Sequence, residues 1–232
     1  MIDNPVTIGN ATLMQVDCME YMATLPDNAF ELAIVDPPYG IRAADKPIAM
    51  GKWKRNIHQS KNWDNSVPDK DYFGEVKRVS NNQIIWGGNY FLDYLSATRC
   101  FIVWDKNNGS NMMADCELAW TSFDSSVRKF TRSHIDDHNE GIGRIHPTQK
   151  PIKLYEWLLT NYAKPGDRIL DTHLGSMSSV IACLNMGYEI TGCELDPDYF
   201  AAGVERVRNS QRQETLFTPA PPKQDQLTLE QL

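Results

Sequence analysis

The sequence predicts an α/β domain: a mostly parallel, twisted sheet flanked by helices. Short apolar runs alternate along the chain with segments of helical spacing. One run, Leu32-Ala-Ile-Val35, is apolar throughout, as a buried strand is, and ends abruptly on Asp36-Pro37-Pro38-Tyr39. Prolines cannot donate to a sheet ladder, so this strand must stop there.

Strands are expected at 12–17, 31–35, 82–86, 100–104, 117–123, 168–171 and 188–194, and helices at 151–163, 176–186 and 197–208. Pro151 suits the first helical position, and Lys164-Pro165-Gly166 ends that helix. Residues 1–209 read as one domain. Two segments depart from the alternation. Residues 41–75 read as a long polar insertion, and a loop of that length in a compact domain usually has a function. Residues 210–232 are rich in Gln and Pro and read as a disordered tail.

Composition narrows the class. Hydrophobic content of 41% is that of an ordinary globular chain, and no apolar run is long enough to span a membrane. The N-terminus lacks a signal-peptide layout. Five scattered cysteines without a C-x-x-C pair favour reduced thiols in a cytosol, with no disulfide framework and no metal site. The net charge of −7 argues mildly against a polyanion partner. Residues 41–63 oppose that reading: Arg42, Lys46, Lys52, Lys54, Arg55 and Lys61 face one acid, Asp45. Such a segment can contact phosphates although the whole chain is acidic.

Residues 167–197 read as strand, tight turn with Gly175, helix, and a second strand ending on Glu194. In α/β sheets ligands sit outside the carboxyl ends of strands, and an acid at that place can accept from ribose hydroxyls. No G-x-G-x-x-G fingerprint is present, so an ordinary βαβ unit with a surface acid is the competing reading. At the other corner, Asp36 offers carboxylate oxygens and Pro37 a carbonyl with no amide hydrogen. Two acceptors side by side suit the two hydrogens of an exocyclic amine on a base. Accepting both frees the nitrogen lone pair, while Tyr39 stacks on the base and fixes its plane. A base treated this way must leave its duplex stack. The competing reading is a rigid turn and nothing more.

Five segments, in order, resemble the DNA amino-methyltransferases that methylate adenine N6 or cytosine N4 from S-adenosylmethionine. They are residues 15–40, 84–91 (IIWGGNYF), 144–151 (RIHPTQKP), the run ILDTHLGSMSS, and GCELD. The corner precedes the cofactor turn, which is the permuted order of the β class. The resemblance implies a Rossmann-like methyltransferase fold with circularly permuted motifs and catalysis by Asp36, Pro37, Pro38 and Tyr39. It implies that Asp171, Gly175 and Ser176 line the methionine end of the cofactor, with Glu194 and Leu195 at the ribose and Asp17 at the adenine. His146, Thr148 and Lys150 fall in the segment expected at the cofactor carboxylate. The family usually carries an aromatic and two glycines in its first cofactor motif. Here His173 follows Asp171-Thr172, and Met177 stands where the second glycine is common. His173 either covers the cofactor or only turns the chain.

An aspartate at the first corner position is typical of adenine N6 enzymes in this family, and serine of cytosine N4 enzymes. Adenine in DNA is therefore the expected target, with cytosine N4, an RNA substrate, or a non-catalytic nucleic-acid-binding partner as alternatives. Lys52, Trp53, Lys54, Arg55 and Lys61, with Arg42, are expected to contact DNA; so are Arg128, Lys129 and Arg132 in a small recognition loop at 124–145. The tail residues Gln213, Leu216 and Phe217 resemble the short peptides that dock on a replication sliding clamp. A homodimer, a restriction partner, and a bacterial or phage-encoded protein in the bacterial cytoplasm are what such a family suggests.

Overall fold

The computed structural model describes residues 4–42, 64–108, 114–133 and 145–217, with 213–217 as helix backbone only. The described strands are β1 (Val6–Ile8), β2 (Ala11–Met14), β3 (Phe30–Val35), β4 (Ser80–Trp86), β5 (Phe101–Asp105), β6 (Cys116–Thr121), β7 (Arg128–Thr131), β8 (Arg168–Asp171) and β9 (Glu189–Cys193). The helices are α1 (Cys18–Met22), α2 (Lys70–Val79), α3 (Ile152–Tyr162), α4 (Ser178–Met186) and α5 (Pro197–Phe217). The strands form one sheet in the order β1-β2-β9-β8-β3-β4-β6-β5-β7. It is parallel from β2 to β4 and again between β5 and β7; β6 runs antiparallel between β4 and β5.

Side chains of β3 alternate between two cores. Leu32 and Ile34 pack under α3, α4 and α5, and Ala33 and Val35 pack against α1 and α2. Both faces are covered, which is why this strand is apolar at every position from Leu32 to Val35. From β8 the chain crosses to β9 on one side; from β3 it crosses to β4 on the other. The β8–β3 boundary is thus the point where the winding reverses, and the carboxyl ends of both strands open onto one crevice there.

Three expectations need correction. The insertion at 41–75 is not loop to its end, because α2 starts at Lys70, capped by Asp69, which accepts from the Tyr72 amide. The last helix does not end at 208: α5 continues to Phe217, so residues 210–217 extend a helix where a disordered tail was expected. Gln, Arg, Glu and Leu in that stretch are good helix formers, and propagating a helix costs far less than starting one. The short elements β1, α1 and β7 escaped notice. β7 is an edge strand, Arg-Lys-Phe-Thr, with too little apolar content to show a period. Pro151 is the residue before α3, one position earlier than expected.

The turn into α4 accommodates the missing glycine. Met177 takes a left-handed backbone, φ +58°, which glycine would adopt without strain. Its side chain is fully buried against α5 at Gly203, where an added Cβ would come within 2.8 Å of three Met177 atoms. The bulk missing at position 203 is the room Met177 uses. Gly203→Val is therefore expected to destabilise the fold by about 1–3 kcal/mol, as overpacking does, read as a lower denaturant midpoint at unchanged slope.

Candidate active site

The corner after β3 is held from a distance. Asp64 is buried, and its Oδ1 accepts from the amides of Tyr39 (2.7 Å) and Gly40 (2.8 Å), while its carbonyl accepts from the Arg42 amide. Two charge-assisted bonds from one carboxylate lock the two peptides that follow the prolines. The ring of Tyr39 lies on Gly87, at the end of β4. A Cβ there would stand 2.2 Å from the ring, and Gly87 has φ +71°. Tyr90 stacks on the same ring (centroids 5.0 Å apart, planes 16° from parallel) and Phe91 meets it edge-on. The Trp86-Gly-Gly-Asn-Tyr-Phe91 turn is thus the seat of Tyr39.

Asp36 is engaged at both oxygens. The Tyr39 hydroxyl donates to Oδ1 at 2.5 Å, and Lys150 Nζ donates to Oδ2 at 2.6 Å. Lys150 also lies 3.2 Å from the Tyr39 hydroxyl and 3.1 Å from Glu117 Oε2. Glu117, at the start of β6, takes a second cation: Lys106 Nζ is 2.6 Å from its Oε1. The result is an alternating row, Lys106, Glu117, Lys150, Asp36, that crosses from β5 to β3. Burial raises the Asp36 carboxyl above its usual value, against the pull of Lys150. Burial works against the Lys150 ammonium too, but Asp36 and Glu117 together hold it above the ordinary lysine value. Burial alone would raise Glu117; the two lysines bring it down to about 2.

Beside this row lies a cleft of about 520 Å³, lined among others by Asp17, Asp36, Pro38, Gly175, Glu194 and Leu195. That size is usual for a small-molecule site. Gly175 is left-handed (φ +47°), and its amide donates to Glu194 Oε2 at 2.8 Å. Glu194 Oε1 accepts from the Asp196 amide at 2.9 Å. The carboxylate therefore ties the turn after β8 to the turn after β9 while facing the cleft. Asp17 faces it as the cap of α1, accepting from the Met19 amide. His146 and Thr148 line it as well; the His146 ring sits over Gly175 and meets Tyr199 edge-on at 4.4 Å. Leu195 is 66% exposed at the rim, an apolar surface for a flat ring to cover.

The structure brings most of the expected residues to this crevice and reassigns some. Lys150 borders the cleft, and its ammonium also meets Asp36, Tyr39 and Glu117. Asp171 does not line the cleft. It sits behind the turn, accepting from the His173 amide (3.0 Å) and the Ser179 hydroxyl (2.6 Å), and burial lifts its carboxyl to about 7. Ser176 is at the wall, its carbonyl accepting from the buried Arg206 guanidinium. His173 faces the cleft with Nδ1 2.9 Å from the Thr172 hydroxyl; burial lowers its pKa to about 4, so it is neutral near pH 7. Pro37 is buried under the corner and Pro38 faces the cleft.

The basic residues divide. Lys52, Trp53, Lys54, Arg55 and Lys61 lie outside the described residues. Arg42 is exposed just past the corner. On β7, Lys129 pairs with Asp105 at 3.0 Å. Since β7 runs parallel to β5, Arg132 comes at the crevice edge of the sheet and Arg128 at the far end of the strand, about 13 Å away. Gln213, Leu216 and Phe217 have helical backbone, and their side chains lie outside the described residues. Asp64, Glu117 and Lys106 escaped notice in the sequence, as did Arg206. None forms a motif with a near neighbour: Lys106 meets Glu117 across the antiparallel β5–β6 pair, and the others find partners further along the chain. Among the described residues no cluster of His, Cys, Asp and Glu could hold a metal, and no helix is long and apolar enough to cross a membrane.

Comparison with known proteins gives the family and the fold. A family model for N6/N4 methyltransferases, described as DNA methylase, matches residues 50–205. The match begins downstream of the Asp36–Tyr39 corner. The chain is 26% identical over 209 residues to the putative methylase YubD of Escherichia coli K12, covering 86% of this chain and 91% of that protein. The fold resembles the M1.HpyAVI–SAM complex (TM-score 0.57, 19% identity, 84% of this chain and 99% of that one). It equally resembles the PvuII DNA methyltransferase, which is cytosine-N4-specific (TM-score 0.57, 14% identity, 89% and 92%).

Proposed function

Because this chain belongs to the N6/N4 DNA methylase family, we propose that it methylates the exocyclic amine of an extruded base in DNA, adenine N6, using S-adenosylmethionine. One observation carries the reading: Asp36 stands on the wall of the same cleft that Gly175 and Glu194 line, so an amine on Asp36 and a ligand in the cleft meet. The cleft suits this cofactor. Acids Asp17 and Glu194 would accept from its hydroxyls and amine, the left-handed Gly175 would let backbone come close, and Leu195 and Tyr199 would offer apolar cover. When bound there, S-adenosylmethionine supplies an electrophilic methyl group on a sulfonium.

The chain's own residues prepare the amine. Asp36 Oδ1 and the Pro37 carbonyl accept its two hydrogens, which localises the nitrogen lone pair. Each carboxylate oxygen has a second lone pair, so the amine either shares Oδ1 with the Tyr39 hydroxyl or displaces it. Lys150 keeps Oδ2 and so fixes the carboxylate plane. Tyr39 offers its ring to the base, and the exposed Tyr90, stacked on it here, is the group that must give way. Asp36 is also the acceptor nearest the amine proton that must leave. Arg42 and Arg132, at the crevice edge, are placed to meet phosphates.

The test is expression in a host without DNA methylation, followed by nucleoside analysis of its DNA and RNA. N6-methyldeoxyadenosine in DNA is the expected product. N4-methyldeoxycytidine would transfer the base assignment to cytosine; methyl groups in RNA alone, or in neither, would overturn the reading.

A further inference from the structure

We infer that Lys106 and Glu117, on the sheet extension away from the cofactor, are positioning residues for methyl transfer: they hold Lys150 on the Oδ2 oxygen of Asp36. This rests on the role of Asp36 proposed above. Neither residue lines the cleft, so neither acts by touching the cofactor. Lys150 Nζ donates to Asp36 at 2.6 Å and to the Tyr39 hydroxyl at 3.2 Å, and lies in ion-pair contact with Glu117 at 3.1 Å. Its side chain is 2% exposed, so these oxygens are its principal partners. Lys106 is also buried, its side chain 8% exposed, and lies 2.6 Å from the other oxygen of Glu117, which is itself 24% exposed.

Charge arithmetic says why all four are present. Asp36, Lys150 and Glu117 alone would bury one uncompensated negative charge; Lys106 makes the row neutral. A buried pair loses most when one partner is removed, because the other is stranded in low dielectric. Strand direction makes the row possible. β6 runs antiparallel to β4 and β5, so its first residues lie at the same sheet edge as the last residues of β3 and β5. Glu117 therefore reaches Lys150 from one side and Lys106 from the other.

Opposite variants then act with opposite signs. Glu117→Gln leaves two buried lysines against one aspartate, so Lys150 sheds its proton at a lower pH and releases Asp36. Lys106→Met leaves two carboxylates against one lysine, so Asp36 takes up a proton at a higher pH. Other titratable groups facing the row are Tyr39, Tyr72 from α2 and Tyr155 from α3, each held above the usual phenol value by burial, and Asp171 at the end of β8. The phenols stay neutral, and any limb from Asp171 is common to every variant.

The experiment measures kcat for DNA methylation against pH for the full chain, Glu117→Gln, Lys106→Met and the double variant, with S-adenosylmethionine affinity by calorimetry as the control. Each single variant is expected to lose at least about tenfold in kcat near pH 7.5, at nearly unchanged cofactor affinity. Glu117→Gln gains an alkaline limb that the parent lacks, Lys106→Met moves the acid limb upward, and the double variant recovers most of the parental rate and profile. Parental rates in both singles, or equal losses in all three variants with an unmoved profile, would overturn the inference. Asp36→Ala is run alongside: if it methylates at the parental rate, the reading of Asp36 itself fails, and that failure is separate.

Discussion

Asp36→Ala is expected to lower methyl transfer to DNA by at least about 10³-fold while S-adenosylmethionine still binds. Removing a single preorganised hydrogen-bonding partner of a reacting group costs about 10²–10³, and here one side chain performs two tasks. Its Oδ1 is the proposed acceptor for the amine, and its Oδ2 anchors Lys150 at 2.6 Å. Alanine removes both and leaves Lys150 and Lys106 against Glu117 alone, one buried positive charge in excess. Asp36→Asn keeps the shape but removes the charge and turns one acceptor oxygen into a donor, so it cannot accept on both sides as the carboxylate does. It is expected to be nearly as slow, because an amide oxygen is a weaker acceptor than a carboxylate. Single-turnover transfer from radiolabelled cofactor measures the rate, calorimetry measures cofactor binding, and thermal melting checks the fold. Transfer at the parental rate by Asp36→Ala would remove the corner from the mechanism.

Gly87→Ala is the second large effect, and it reaches the chemistry through Tyr39. The methyl group of alanine would stand 2.2 Å from the Tyr39 ring, and residue 87 holds φ +71°, where any L side chain is strained. The ring must move off its seat, and its hydroxyl leaves Asp36. Misplacement by about 1 Å can cost about 10²-fold in rate. That loss is expected in kcat over KM for DNA, with cofactor affinity close to parental, because Gly87 does not line the cleft. Gly74→Ala in α2 is the control, since a Cβ there meets nothing within 4 Å; it should leave both activity and stability near the parent. Equal behaviour of the two glycine variants would show that the Tyr39 seat is irrelevant to transfer.

How far each feature could be read from the sequence follows from the range of its physics. The end of β3 was legible because two prolines after an apolar run can mean little else. The turn after β8 and the acid after β9 were legible because one βαβ unit keeps them close in sequence, and the structure joins them through the Glu194–Gly175 bond. Lys150 was legible as a residue of this crevice, but its contact with Asp36 was not: it spans 114 positions, and no local pattern encodes that. Asp64 looked like part of a solvated insertion, yet it is 1% exposed and pins the corner. Glu117 and Lys106 sat in apolar strand patterns as stray charges, and only the antiparallel reversal of β6 brings them together. The left-handed Met177 shows the converse: the sequence marked a glycine as missing, and Gly203 on a later helix explains how the bulk is housed.

The most direct test is a crystal structure of the full chain with a DNA duplex containing its target site and a non-reactive analogue of S-adenosylmethionine in the cleft. The account predicts one base out of the stack, its ring on Tyr39 and Tyr90 moved aside. Its amine nitrogen should lie within hydrogen-bond distance of Asp36 Oδ1 and the Pro37 carbonyl, with Lys150 still on Oδ2. A bound analogue in that cleft with the extruded base held elsewhere, and Tyr39 still closed on Asp36, would contradict it.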